Sequence, residues 1–163
     1  MNNVVIRGLE PRDVEAIAEI AVAAWTPIYA FYRQAMGDDL FAAACPDWQE
    51  RKAAQVRAAC DPQGRAMVCV AQNAGQIVGF TTFYADDASG IGEIGNNAVC
   101  PDFQGMGIGP RMYEYVFDRL GELGMSFVRV CTGGDPAHAP ARRAYEKVGF
   151  SIRLPGVKYY RPL

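Results

Sequence analysis

Residues 103–111 read FQGMGIGPR, with glycines at Gly105, Gly107 and Gly109. Glycine at that density weakens a helix or a strand by roughly 0.5–1 kcal/mol per residue relative to Ala, so the segment is read as a loop whose backbone must stay uncovered. The chain before it, GIGEIGNNAVC (90–100), has strand character and stops at Pro101. The chain after it, Pro110 to Gly124, repeats apolar residues at Met112, Val116, Phe117, Leu120 and Leu123 with a helical period. A strand, a glycine loop and a helix N-terminus aim several backbone N–H groups and the positive helix end at one point, which suits a phosphate or pyrophosphate. Two nucleotide-loop patterns fail here. GxGxxG started at Gly105 needs a glycine where Pro110 stands, and the P-loop needs Gly-Lys-Ser/Thr where the sequence has Gly-Ile-Gly-Pro. A third pattern, QxxGxG, is met by Gln104, Gly107 and Gly109.

The elements that must position this loop follow from periodicity. VVIRGL (4–9) reads as an edge strand, and RDVEAIAEIAVAAW, after Pro11, as an amphipathic helix. Residues 26–38, with Pro27 and the aromatic residues Tyr29, Phe31 and Tyr32, read as a loop or short helix. Residues 38–60 read as helix split at Pro46, with Asp47 capping the second piece. MVCVAQ (67–72) and QIVGFTTFY (76–84), joined by Asn73-Ala74-Gly75, read as a hairpin. Residues 90–100 add a third strand, where Gly92 and Gly95 suggest a bulge or a close backbone approach. SFVRVCTG (126–133) is a further strand, APARRAYEKVG (139–149) a helix, and FSIRL with VKYYRP a terminal hairpin about Pro155-Gly156.

Composition narrows the function. The chain has 163 residues, half of them apolar, and a formal net charge of -2, so one compact α/β or α+β domain is expected and a basic face for nucleic acid is not. The apolar runs read as too short for a membrane span and the N-terminus lacks a signal-peptide pattern, which points to the cytoplasm. Five cysteines without CxxC spacing read as free thiols, with Cys69 and Cys131 as small buried hydrophobes inside strands. No metal-ligand spacing is present; His138 is the single histidine.

A second motif follows the first in order. Ala98-Val99-Cys100-Pro101 precedes QxxGxG, and Ala141, Tyr145, Gly149 and Phe150 spell AxxxYxxxGF. Together these segments resemble the GNAT superfamily of acyl-CoA-dependent N-acetyltransferases, over roughly the last 70 residues. The resemblance implies a single domain over 1–163, with a mixed, mostly antiparallel sheet of about six to seven strands, about four helices and a central splay between two parallel strands. It implies acetyl-CoA as co-substrate and an N-acetyltransferase that moves the acetyl group to a primary amine by direct attack in a ternary complex.

It also implies roles residue by residue. Gln104, Gly105, Met106, Gly107, Ile108 and Gly109 would hold the pyrophosphate, with one N–H fewer because of Pro110. Ala98 and Val99, facing the strand that begins at Phe127, would form the pantetheine slot, and the N–H of Val99 or its neighbour would meet the thioester oxygen. Tyr145, with an ordinary phenol pKa near 10, would protonate the leaving thiolate, the other reading being a packed aromatic. The amine must lose a proton before attack, and Glu93, the acid on the strand leading to Val99, would take it directly or through water; an exposed strand charge is the competing reading. Asn96 and Asn97 alternate across the strand, so that one of them could orient water or substrate. His138 stands where relatives place a cofactor-contacting Asn, or else caps a helix. The acceptor side would come from Trp25, Tyr29, Phe31 and Tyr32, with Tyr159 and Tyr160 from the terminal hairpin, the default reading of these aromatics being an apolar helix-packing cluster. The acceptor, a small-molecule or a protein amine, stays open, and so does assembly as a homodimer. A non-catalytic acyl-CoA-binding regulatory domain is the alternative, against which the presence of Tyr145 argues.

Overall fold

The computed structural model describes residues 4–162. β1 (Val4–Gly8) leads through a 3-10 turn at Pro11–Asp13 into α1 (Val14–Met36), followed by α2 (Asp38–Ala44) and α3 (Trp48–Ala59). Then come β2 (Met67–Asn73), β3 (Gln76–Asp86), β4 (Ile91–Val99), α4 (Ile108–Glu122), β5 (Phe127–Val130) and α5 (Ala139–Lys147). The sheet order is β1-β2-β3-β4-β5, antiparallel except for the parallel β4–β5 pair. The β2–β3 turn uses Ala74 and Gly75, both at positive φ (47° and 89°), the backbone that matches the twist of a two-residue hairpin.

Helices cover both faces of the sheet. On one side Met112, Val116 and Leu120 of α4, with Tyr145 of α5, pack on Ala71, Val78, Phe83 and Ile94. On the other, Ile17, Ile20 and Ala21 of α1 and Val56 of α3 pack on Val70, Phe80 and Ala98. Full burial of a side chain such as Phe80, Ile17 or Leu120 contributes about 1.5–3 kcal/mol. Asp13, 3% exposed, fixes the start of α1 to β1 through Arg7, at 2.6 and 3.0 Å, and accepts the Glu10 N–H at 2.8 Å. The guanidinium hydrogen bond holds the Asp13 carboxyl below its usual range against the opposing effect of burial.

The structure departs from the sequence reading in four places. Residues 26–36 are not a loop: α1 runs through Pro27 to Met36, because packing of Tyr29 and Tyr32 against the helices that follow outweighs the lost N–H. The whole segment 11–36 is long and apolar enough, by length and composition, to cross a membrane, where only short apolar runs were expected. It is nonetheless a core helix on its inner side, burying Ile17, Ala18, Ile20 and Ala21. Cys131 is exposed, since β5 ends one residue before it; Cys69 is fully buried, and burial pushes its thiol up to about 12. The terminal hairpin is absent among the described residues. Residues 151–162 form neither helix nor strand, because a Pro-Gly turn signal cannot hold two strands that have no third strand beneath them. The sheet accordingly has five strands.

Candidate active site

The β4 strand carries the site, and a bulge organises it. Thr81 faces Asn97 and Phe83 faces Ile94, so Thr82 of β3 stands opposite both Gly95 and Asn96. A bulge of this kind re-aims side chains: Asn96 turns to the α1–α3 side and Asn97 to the α4–α5 side. Gly95 has no room for a side chain there, since a Cβ would lie 2.6 Å from Thr82 Oγ1 and 3.0 Å from Tyr84.

At the same point β4 and β5 part. Their pairing runs from Ile91–Phe127 to Ile94–Val130 and stops, while β4 continues to Val99. Successive strand N–H groups point to opposite edges. The Cys100 N–H is donated to Val78 O on β3 at 2.8 Å, so the N–H of Val99 points the other way, into the gap that β5 has left. Ala98 is 9% exposed and faces the core beneath α1; it contributes backbone to the gap, not side chain.

Gln104 bridges strand and loop by donating Nε2–H to Val99 O at 3.1 Å. Gly105 and Gly107 adopt positive φ (78° and 77°), with nothing within 4 Å of where a Cβ would be, an uncovered cradle. Gly107 is the N-cap residue of α4, so the first-turn N–H groups of Ile108 and Gly109 lack helical acceptors. The Ile108 side chain is buried at 2% exposure and anchors the loop from below, whereas Met106 is half exposed at its tip. Pro110 is the third residue of α4 and removes one donor from the first turn. Open glycines, free donors and a helix N-terminus fit an anionic pyrophosphate.

On the α4–α5 face of β4, Tyr145 is buried and its hydroxyl accepts from Asn97 Nδ2 at 3.1 Å. Tyr113 donates to Asn97 Oδ1 at 2.8 Å, and the two phenol rings are 5.4 Å apart. Asn97 Nδ2 also donates to Gly95 O at 3.0 Å, so one amide clamps the bulge to both phenols. Burial raises the Tyr145 pKa above its ordinary value, although the Asn97 and Tyr113 hydrogen bonds pull it back in part. The phenol is therefore protonated at neutral pH. Neither Asn97 nor Tyr113 carried a motif; strand parity beyond the bulge is the signal that would have picked Asn97.

Asn96 accepts from Lys52 Nζ at 3.1 Å, and the same ammonium sits 4.3 Å above the Trp25 ring. Tyr29 stacks on Trp48 at 4.2 Å, with Tyr32 edge-on at 5.8 Å, so Trp25, Tyr29 and Tyr32 form one stripe along α1 facing α3 or the loop before α5. Lys52 and Trp48, on α3, were not marked by the sequence. Glu93 points to the same side as Asn96 but is bound by Arg129 at 2.9 and 2.5 Å. It lies six residues from Val99, about 20 Å along an extended strand, and is not brought together with Tyr145. His138 is held by Asp135. Its Nδ1 lies 2.7 Å from Asp135 Oδ2 and its backbone N–H reaches Asp135 Oδ1 at 3.2 Å, the capping arrangement at the start of α5. Tyr159 is 90% and Tyr160 53% exposed, and the pKa of Tyr32 is raised by burial and, to a smaller extent, by the nearby Tyr160.

Comparison with known proteins agrees with this geometry. Residues 16–150 match the model of the acetyltransferase (GNAT) family. Among solved structures, the PaiA N-acetyltransferase from Thermoplasma acidophilum in complex with coenzyme A superposes with a TM-score of 0.74 at 16% identity, covering 93% of this chain and 91% of that one. A GNAT family acetyltransferase from Brucella melitensis in complex with acetyl-CoA gives 0.65 at 20% identity, covering 93% and 85%. An aminoglycoside acetyltransferase from an uncultured soil metagenomic sample, in complex with sisomicin, gives 0.62 at 20% identity, covering 98% and 96%. At these identities the likeness is one of fold. No curated protein matches the chain in sequence.

Proposed function

The chain belongs to the GNAT acetyltransferase family, and from that premise we propose that it transfers the acetyl group of acetyl-CoA to a primary amine by direct attack in a ternary complex. The observation that carries this reading is the gap beyond Ile94–Val130, with the Val99 N–H at its β4 edge and the Tyr145 hydroxyl held by Asn97, two residues from Val99 on the same strand. The 104–109 cradle would bind the pyrophosphate through main-chain donors, and the free edge of β4 would pair with the amides of the pantetheine arm. Acetyl-CoA supplies an activated acyl group. Val99 would donate its N–H to the thioester oxygen as negative charge builds there. As the new C–N bond forms and the C–S bond breaks, Tyr145 would give its proton to the departing sulfur. The amine's proton would pass to Glu93 through water, since the carboxylate is held by Arg129 at a distance from the gap.

A homodimer belongs to the same proposal, supported by the exposed apolar segment 151–162 and the open edge of β5. The test is CoA release from acetyl-CoA across a panel of primary amines, with calorimetric titration of CoA on wild type and Gly107→Asp. We expect turnover with some amines and loss of CoA affinity of 10-fold or more in the variant. Acetyl-CoA binding without release on any amine would replace catalysis by binding, and unchanged CoA affinity in Gly107→Asp would remove the loop from the cofactor site.

A further inference from the structure

Tyr29 of α1, the turn at 44–46 and α3 line an open cleft of about 360 Å³ whose wall includes Cys45, Trp48, Arg51, Lys52 and Gln55. Two cations line it and no Asp or Glu does. Arg33, Arg57 and Arg129 each close on a carboxylate, and Arg111 and Arg142 on backbone carbonyls; among the described residues neither Arg51 nor Lys52 has an ion-pair partner. The Lys52 ammonium is held by neutral groups, Gln55 Oε1 at 2.7 Å and Asn96 Oδ1 at 3.1 Å, over the Trp25 ring. A cation withdrawn from water without a counter-charge is destabilised, and burial alone pushes the Lys52 pKa down to about 8. An anion entering the cavity reverses that cost. The stacked Tyr29–Trp48 pair offers an apolar wall beside the charges. Lys52 also ties the cavity to the acyl-transfer gap, since its partner Asn96 precedes Val99 by three residues, about 10 Å of strand.

We infer that the acceptor is an amine bearing an anionic group several bonds from its nitrogen, such as an ω-amino acid or a short peptide with a free C-terminus, with Arg51 and Lys52 binding that group. The inference deepens the acetyltransferase reading and rests on it. A polycationic acceptor is the opposite chemistry: it would bring like charge to two cations, which disfavours binding.

The test compares 6-aminohexanoate, its primary amide and the matched aminoalkyl phosphate as acceptors for wild type and Arg51→Gln, a solvent-exposed position whose replacement spares the core. We expect the acid to exceed the amide in kcat/KM by 10-fold or more, through KM, with the advantage reduced several-fold in Arg51→Gln, where Lys52 alone is left to bind the anion, at unchanged KM for acetyl-CoA. A phosphate arm above the acid would assign the site to phosphorylated amines instead of carboxylates. The acid's advantage should decline as pH rises through about 8, because the anion binds the ammonium form of Lys52. The groups facing Lys52 are Trp25 from α1, Asn96 from β4 and Gln55 on α3; Tyr29 nearby does not titrate in that window, its pKa being raised by burial.

A second readout does not depend on turnover. Tryptophan fluorescence, titrated with N-acetyl-6-aminohexanoate and with its amide in the presence of CoA, should respond to the acid in wild type and require several-fold more of it in Arg51→Gln. If no amine is acetylated the enzyme reading falls, and this titration alone judges the anion site. Equal responses to acid and amide, or an acid preference undiminished in Arg51→Gln, would overturn the inference.

Discussion

Tyr145 owes its setting to one neighbour, Asn97, whose amide donates to the phenol and to Gly95 O while accepting from Tyr113. The Tyr145 hydroxyl accepts from Asn97 Nδ2 at 3.1 Å, and its own donation to Asn97 Oδ1 is long, at 3.4 Å, so little is lost when the proton is given elsewhere. Tyr145→Phe removes that proton and keeps nearly all of the packing against Tyr113 and Phe150. Turnover is expected to fall roughly 10- to 1,000-fold with little change in acetyl-CoA affinity or melting temperature, measured by steady-state kinetics, calorimetry and thermal denaturation. A loss of stability with turnover intact would make the phenol structural. Tyr145 and the loop glycines were legible because their spacing is a local pattern. Asn97, Tyr113 and Lys52 were not, because their roles arise from contacts across 16 to 48 residues of chain, which no local period encodes.

At the scale of elements, the bulge in β4 decides where the two asparagines point and where β5 leaves the sheet. Glycine at 92 and 95 gave warning of a close approach in the sequence, and both positions have one: a Cβ on Gly92 would meet Leu120 at 2.5 Å, and one on Gly95 would meet Thr82 at 2.6 Å. Which glycine carried the bulge was not readable, since that depends on the register with β3. The α1 helix was misread past Pro27 for a related reason: propensity is local, while the stack of Tyr29 on Trp48 that holds the helix onward is not. Gly95→Ala sets the bulge against a fully buried Thr82, and overpacking of this kind costs about 1–3 kcal/mol. The expected result is a Tm lower by several degrees together with a raised KM for acetyl-CoA, because the β4–β5 gap shares the bulge. A fall in Tm without any change in KM would separate the bulge from the cofactor slot.

For the molecule as a whole, the mixed-sheet α/β character was legible from the order of strand and helix periods, but the last two expected strands were not formed, and the reason bears on assembly. Residues 151–162 hold Ile152, Leu154, Val157 and Tyr159 at 78–93% exposure, alternating apolar positions in strand fashion on either side of Pro155-Gly156. The sheet ends at β5, whose outer edge has no partner among the described residues and whose Phe127 is 70% exposed. An open edge and an unpaired apolar segment are each a liability in water, and two copies related by a two-fold axis can remove both at once, each laying its segment on the other's β5 in a self-complementary contact. The full chain is therefore expected to elute as a dimer in size-exclusion chromatography with light scattering. Leu154→Asp with Val157→Asp should yield a monomer that keeps its helical circular dichroism, since neither side chain touches the core clusters. A full-length monomer at micromolar concentration would refute the exchange, as would a dimer indifferent to both substitutions, which would move the contact to another face.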